Sequence, residues 1–155
     1  MTSNELSGLG LPPVDQIGLV VRDIDKAIAQ YDALFGPFTL LDANIDGALN
    51  RGEPEDLIIK VAIGHTGDME FELIEWVQGN SPHKEFLDSG REGLHHIRFR
   101  VDDCDEAIER VKAIGYEVCW YKRMSDDIAF AYLERENDPL IIEFLEMTAP
   151  YQTID

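Results

Sequence analysis

Basic residues are scarce in this sequence. Thirteen lysines and arginines stand against 31 aspartates and glutamates, for a net charge of −18 over 155 residues. So negative a surface repels phosphate backbones and anionic lipids, and no nucleic-acid or membrane partner is expected. An anionic small molecule would have to be met by a local cluster of cations. Cysteine is scarcer still. Cys104 and Cys119 lack C-x-x-C spacing and lie in apolar stretches, the setting of small buried thiols rather than of a disulfide framework. No apolar run approaches the length of a membrane span. The opening stretch, Met1 to Pro13, is polar and turn-forming rather than signal-like, so the cytoplasm is the expected location.

What is present suffices for one domain, 1–155. The chain is 45% hydrophobic, a content that excludes a mainly disordered protein and allows a core without disulfides. It also repeats itself. Gln16-Ile-Gly-Leu-Val-Val-Arg-Asp-Ile-Asp-Lys-Ala-Ile lies over His96-Ile-Arg-Phe-Arg-Val-Asp-Asp-Cys-Asp-Glu-Ala-Ile without a gap, at a separation of 80 residues. Each copy reads as an alternating strand, followed by an Asp-x-Asp that supplies a helix N-cap and a first-turn acid. The first helix is expected to run through about Leu34, to Gly36-Pro37, and the second from about Asp105 to Ile114. Three strand-like segments follow each helix: Phe38 to Leu41, Leu57 to Ile63 and Glu70 to Trp76, then Glu117 to Tyr121, Ala129 to Glu134 and Leu140 to Leu145. The last of each set also align, Phe71-Glu-Leu-Ile-Glu with Ile142-Glu-Phe-Leu-Glu. The expected fold is α+β: two tandem βαβββ modules, 14–78 and 93–148, forming a curved mixed-sheet cleft. The connector, 79–92, should hold a short helix around Lys84 to Asp88.

Alternation along the strands assigns faces. If Ile17, Leu19 and Val21 pack on a helix, then Gln16, Gly18 and Val20 face the other way. By the same rule His96, Arg98 and Arg100 oppose Ile97, Phe99 and Val101, while Glu72 and Glu143 oppose their apolar neighbours. If the sheets curl around one cleft, Gln16, Glu72, His96 and Glu143 meet there, with Arg98 and Arg100 lining it. A solvated sheet face is the ordinary reading of any one such residue. Four metal-competent groups at two pairs of repeat-equivalent positions point instead to a divalent ion such as Zn, Co, Ni or Mn. The remaining histidines are weaker candidates. His95 should point away from His96, His65 lies in a turn and His83 in the connector, and surface or supporting roles are expected for all three. The two arginines can clamp a substrate carboxylate or phosphate, or neutralise Glu70, Glu72 or Glu143. Lys122 and Arg123 are candidates to meet a nucleotide tail at the rim.

These segments, with Gly93-Leu-His-His-Ile-Arg-Phe-Arg-Val-Asp-Asp, resemble the vicinal oxygen chelate (glyoxalase/bleomycin resistance/dioxygenase) superfamily from about residue 14 to 147. The stretch from Ser81 to Ile97 is most similar to methylmalonyl-CoA epimerases. The resemblance implies one divalent metal on Gln16, Glu72, His96 and Glu143, a small-molecule substrate of the acyl-CoA class, and a homodimer. It also implies an isomerase that removes the proton next to a thioester carbonyl, with Glu143 as one base and Glu53, or its neighbour Glu55, as the other. Gln16 departs from the His usual at that epimerase position and matches eukaryotic glyoxalase I, so a lactoylglutathione lyase is an alternative. The set lacks the second His that the superfamily's ring-cleaving iron dioxygenases need. A non-catalytic small-molecule binder of the same fold is the third reading.

Overall fold

The computed structural model describes residues 8–148. The expectation for the polar opening segment therefore lies, up to residue 7, outside the described residues. The first half runs β1 (Val14–Val21), α1 (Ile24–Phe35), β2 (Thr39–Asn50), β3 (Glu53–Thr66) and β4 (Met69–Gln78). After α2 (Pro82–Asp88), the second half repeats the order as β5 (Gly93–Val101), α3 (Cys104–Lys112), β6 (Glu117–Arg123), β7 (Ile128–Arg135) and β8 (Asp138–Met147). The duplicated Asp-x-Asp acts as the alternation predicts. Asp23 caps α1 by accepting the Lys26 N–H, and Asp103 caps α3 by accepting that of Glu106, each at 3.0 Å.

The eight strands close in the order β1-β4-β3-β2-β6-β7-β8-β5. Within each half the first and last strands run parallel, β1 beside β4 and β5 beside β8, while β1 and β5 join the halves antiparallel. The other seam is slight: β2 meets β6 only at Leu49–Tyr121 and Asn50–Trp120. Apolar residues fill three places. Leu19, Val21, Phe71 and Leu73 pack under α1, and Val101, Leu133, Ile142 and Phe144 pack under α3. Val20, Leu57, Ile59, Ile74, Trp120 and Tyr132 fill the inside of the curve. Val20 thus faces away from Leu19 and Val21, as alternation requires.

Strands β2 and β3 are far longer than their apolar runs suggest. The polar residues from Asp42 to Asn50 pair with β3 across a bulge between Ile45 and Ala48. There Gly47 adopts φ 66° and donates its N–H to Asp56 Oδ1 at 2.8 Å. Asp46-Gly47 is thus the bulge of a continuous hairpin rather than a turn that ends the strand. Cys104 and Cys119 are free and buried, and burial pushes both thiols up to about 12.

Candidate metal centre

Four adjacent strands, in the spatial order β4, β1, β5 and β8, each contribute one donor to a single point. Glu72 of β4 and His96 of β5 both sit opposite Gly18 of β1, while Glu143 of β8 sits opposite Arg98 of β5. His96 is 0% exposed and Gln16 1% exposed, while the Glu72 and Glu143 side chains keep 15% and 13%. Nε2 of His96 lies 3.1 Å from Gln16 Oε1, 3.2 Å from Glu143 Oε2 and 3.3 Å from Glu72 Oε1. The ligand atoms of Glu72, His96 and Glu143 all fall within 4.8 Å of one another.

Glycine 18 makes this convergence possible. A Cβ there would stand 2.1 Å from His96 Cε1 and 2.2 Å from Nε2, so the imidazole occupies the space a side chain would fill. The requirement is room, since no left-handed φ is involved. Gln16 is oriented from behind: its amide N–H donates to Glu70 Oε1 at 2.6 Å, which leaves Oε1 turned to the centre. Glu70 in turn accepts from Arg98, whose main partner is Asp15, in a paired contact at 2.9 and 3.1 Å. Asp15 reaches Arg98 because β1 bulges between Val14 and Gln16.

Burial by itself would lower the pKa of His96. Hydrogen bonds with Glu143 and Glu72, and their charges, outweigh it and raise the ring to about 9. One imidazole, one amide oxygen and two carboxylates around one point form a donor set that fits a borderline or hard divalent ion.

The centre opens into a cavity of about 480 Å³ inside the curved sheet. Its far wall is aliphatic, with Ala43, Ile45, Ile59, Val61 and Ile63 from β2 and β3. Trp120 and Phe130 stack at 5.2 Å along another side. Glu70, Glu72, Glu143, Asp15 and Arg98 make the polar end. Arg100 lies at the exposed margin, where its guanidinium donates to the Met147 carbonyl at 3.1 Å and has no carboxylate partner among the described residues. Of the two arginines read from the sequence, Arg98 serves the neutralising network and Arg100 is the one left free to meet an anion.

Several expectations need correcting. His95 does not point away from His96. The pairing passes from Gly18–His96 to Leu19–Leu94, so His95 is the extra residue of a β-bulge, and both imidazoles turn into the protein. His95 and His83 are each 1% exposed, and His83 Nε2 lies 3.0 Å from the Tyr132 hydroxyl. Both lie behind the centre, His95 against His96 and His83 against Tyr132, and neither is at the surface. His65 is exposed at the cavity rim. Glu53 and Glu55 are not brought to the cavity: Glu53 is exposed at the β2–β3 turn, and Glu55 accepts from Asn80. Arg123 is engaged by Glu146, and neither it nor Lys122 lines the cavity. Sequence reasoning missed Asp15, Tyr132 and Gly18 as parts of the site. A glycine inside an alternating strand was the available signal for Gly18.

A profile of the Glyoxalase/Bleomycin resistance protein/Dioxygenase superfamily matches residues 15–132. The chain belongs to that superfamily. An uncharacterized protein of Bacillus subtilis (strain 168), YqjC, is 29% identical over 96 residues, which is 62% of this chain and 62% of YqjC. The match thus spans under two thirds of that relative. Among solved structures, the hypothetical protein BH1468 from Bacillus halodurans C-125 superposes with a TM-score of 0.65 at 24% identity, over 90% of this chain and 97% of its own. The methylmalonyl-CoA epimerase from Mycobacterium tuberculosis gives 0.63 at 20% identity, over 90% of both chains. At such identities the likeness carries the fold and no more.

The buried histidines behind the centre give the protein an acid sensitivity of its own. Burial, followed by the charge on His96, lowers His83 to about 3, so its ring is neutral when folded and takes a proton near 6.5 when unfolded. The unfolded chain therefore binds more protons between those values, and stability falls as the pH drops below about 6.5. Each such proton contributes a slope of about 1.4 kcal/mol per pH unit. Urea unfolding of metal-free protein from pH 7 to 5 should show His83→Gln shallower than wild type by about that slope. Parallel curves would mean that His83 is protonated or hydrated in the native state.

Proposed function

We propose that this protein is a divalent-metal-dependent enzyme that removes a proton from the carbon next to a carbonyl, an isomerase of acyl thioesters in the manner of methylmalonyl-CoA epimerases. The observation that carries the reading is the convergence of Gln16, Glu72 and Glu143 on the buried Nε2 of His96 at the polar end of an apolar-walled cavity. Those four residues would hold the ion. Once bound, it supplies Lewis-acid stabilisation of negative charge developing on the substrate oxygen, worth several kcal/mol.

The remaining work falls to the protein's own groups. Glu143 and Glu72 are the carboxylates at the centre that also face the cavity, and Glu143 is our choice to take the proton. The Ala43–Ile45 and Ile59–Ile63 wall holds the apolar part of the acyl group and keeps water from it. Arg100 is placed to meet a substrate carboxylate or phosphate, and in so acidic a protein an unpaired guanidinium at the cavity margin is a selective feature. The structure of a methylmalonyl-CoA epimerase in complex with methylmalonyl-CoA and NH4+ shares the fold at a TM-score of 0.62 and 22% identity. That makes 2-methylmalonyl-CoA the first substrate to try.

The test is proton exchange in deuterium oxide, followed by NMR, with protein reconstituted separately with Zn²⁺, Co²⁺, Ni²⁺ and Mn²⁺. The α-proton signal should disappear at least about a hundredfold faster with metal than without, a difference of roughly 2.7 kcal/mol in barrier. No exchange with any acyl-CoA in metal-loaded protein would sink the proposal. Gln16 favours one second reading, a glyoxalase-I-like lyase, which a spectrophotometric assay with methylglyoxal and glutathione separates from the first. Protein that binds small apolar anions but takes up no metal would instead be a binding member of the superfamily.

A further inference from the structure

We propose that His95 is a positioning residue for His96: the neutral His95 ring accepts the Nδ1–H of His96 and fixes the tautomer that turns Nε2 toward Gln16, Glu72 and Glu143. The role rests on the metal-site reading above, whereas the pairing of the two rings stands without it. The bulge in β5 makes the pairing possible, because strict alternation would send consecutive side chains to opposite faces. Here the two Nδ1 atoms lie 3.0 Å apart, with the rings nearly perpendicular at 87° and both fully enclosed.

Two facing imidazole nitrogens at that distance need one donor and one acceptor. Chemistry at the far side of His96 decides which is which. Its Nε2 sees three oxygen acceptors between 3.1 and 3.3 Å. With a metal held on those oxygens, Nε2 gives its lone pair and the ring's one proton must sit on Nδ1. His96 is then the Nδ1 donor. His95 must therefore be neutral at Nδ1 and carry its own proton on Nε2.

The surroundings of His95 keep it neutral. Phe86 meets its ring edge-on at 5.1 Å, and His83 stacks on it at 5.4 Å. No acid pairs with it among the described residues. The Pro82 backbone favours a proton on the ring, although Nε2 makes no complete hydrogen bond. A metal-bound histidine more commonly donates to a carboxylate or a backbone carbonyl. With Glu72 and Glu143 already at the centre, a third buried carboxylate would add repulsion, and a neutral imidazole orients the ring without it.

The experiment is long-range ¹H–¹⁵N NMR of the histidine rings in the full-length wild type, metal-free and Zn²⁺-loaded, followed by Zn²⁺ affinity from chelator competition. His95 should be the neutral Nε2–H tautomer in the Zn²⁺-loaded protein, and a proton on His95 Nδ1 there overturns the proposal. His95→Asn places an amide oxygen near the former Nδ1, while His95→Phe keeps the bulk and removes the acceptor. The Phe variant should bind Zn²⁺ about 10–100-fold more weakly and the Asn variant within about threefold of wild type, the range expected for orienting partners of a metal ligand. Equal loss in both variants, or none in the Phe variant, also overturns it. Should the Phe variant not fold, the wild-type tautomers decide alone. Should the wild type bind no Zn²⁺, the metal-site reading fails, and this role of His95 falls with it.

Discussion

His96→Ala should lose metal binding altogether and, with it, at least about a hundredfold in turnover, the equivalent of roughly 2.7 kcal/mol of Lewis-acid stabilisation. The same substitution should destabilise the metal-free protein. Glu72 and Glu143 are held around the protonated His96 at 3.3 and 3.2 Å, and both are largely enclosed. Removing one member of such a buried ionic group while leaving the others costs about 3–5 kcal/mol. Elemental analysis of protein purified without chelator, together with urea unfolding at pH 7, reads both effects. Near one equivalent of metal in the wild type and none in the variant is the expected outcome. Equal metal content in the two would place the ion elsewhere and undo the four-ligand assignment.

Gly18→Ala is the second large effect, and it tests the geometry without touching a ligand. The added methyl would lie 2.1–2.7 Å from three atoms of the His96 ring. The strand cannot easily yield, because β1 is paired on both sides, with β4 and with β5. The ring must therefore be displaced from the point where the carboxylates converge. Overpacking of this kind costs about 1–3 kcal/mol of stability. Metal affinity should fall by more, at least about a hundredfold, because displacing the buried nitrogen undoes the shared point of coordination. Titration with Co²⁺, read from its visible absorption, measures the affinity, and circular dichroism reports whether the fold is retained. A folded alanine variant with wild-type affinity would show that His96 does not need the space over Gly18.

The internal duplication was legible because its physical basis is local. Alternating apolar residues, two Asp-x-Asp caps and the repeat-equivalent positions of Gln16 with His96 and Glu72 with Glu143 all follow from neighbours in sequence. Helix α1 ends within a residue or so of expectation, since Gly36 and Pro37 cannot extend it. The long hairpin of β2 and β3 was not legible. Asp42 to Asn50 fell outside the strand-like segments, and what makes it strand is pairing with residues up to Ile59 and Lys60, across a bulge at Gly47, whose N–H is held by Asp56.

The same division holds at the site. Its donor set could be named from sequence because strand alternation and the repeat select one face of each strand, and that face carries the four side chains. Bulges break the alternation, and where they fall depends on how neighbouring strands match in register. One bulge brings His95 in beside His96, and another lets Asp15 reach Arg98. The sequence by itself therefore determined the duplicated βαβββ order and the residues able to hold an ion. Only the tertiary structure decided which arginine remains free, which histidine lies against His96, and that Glu53 stays outside the cavity. Those outcomes depend on contacts between segments far apart in the chain, which no local pattern encodes.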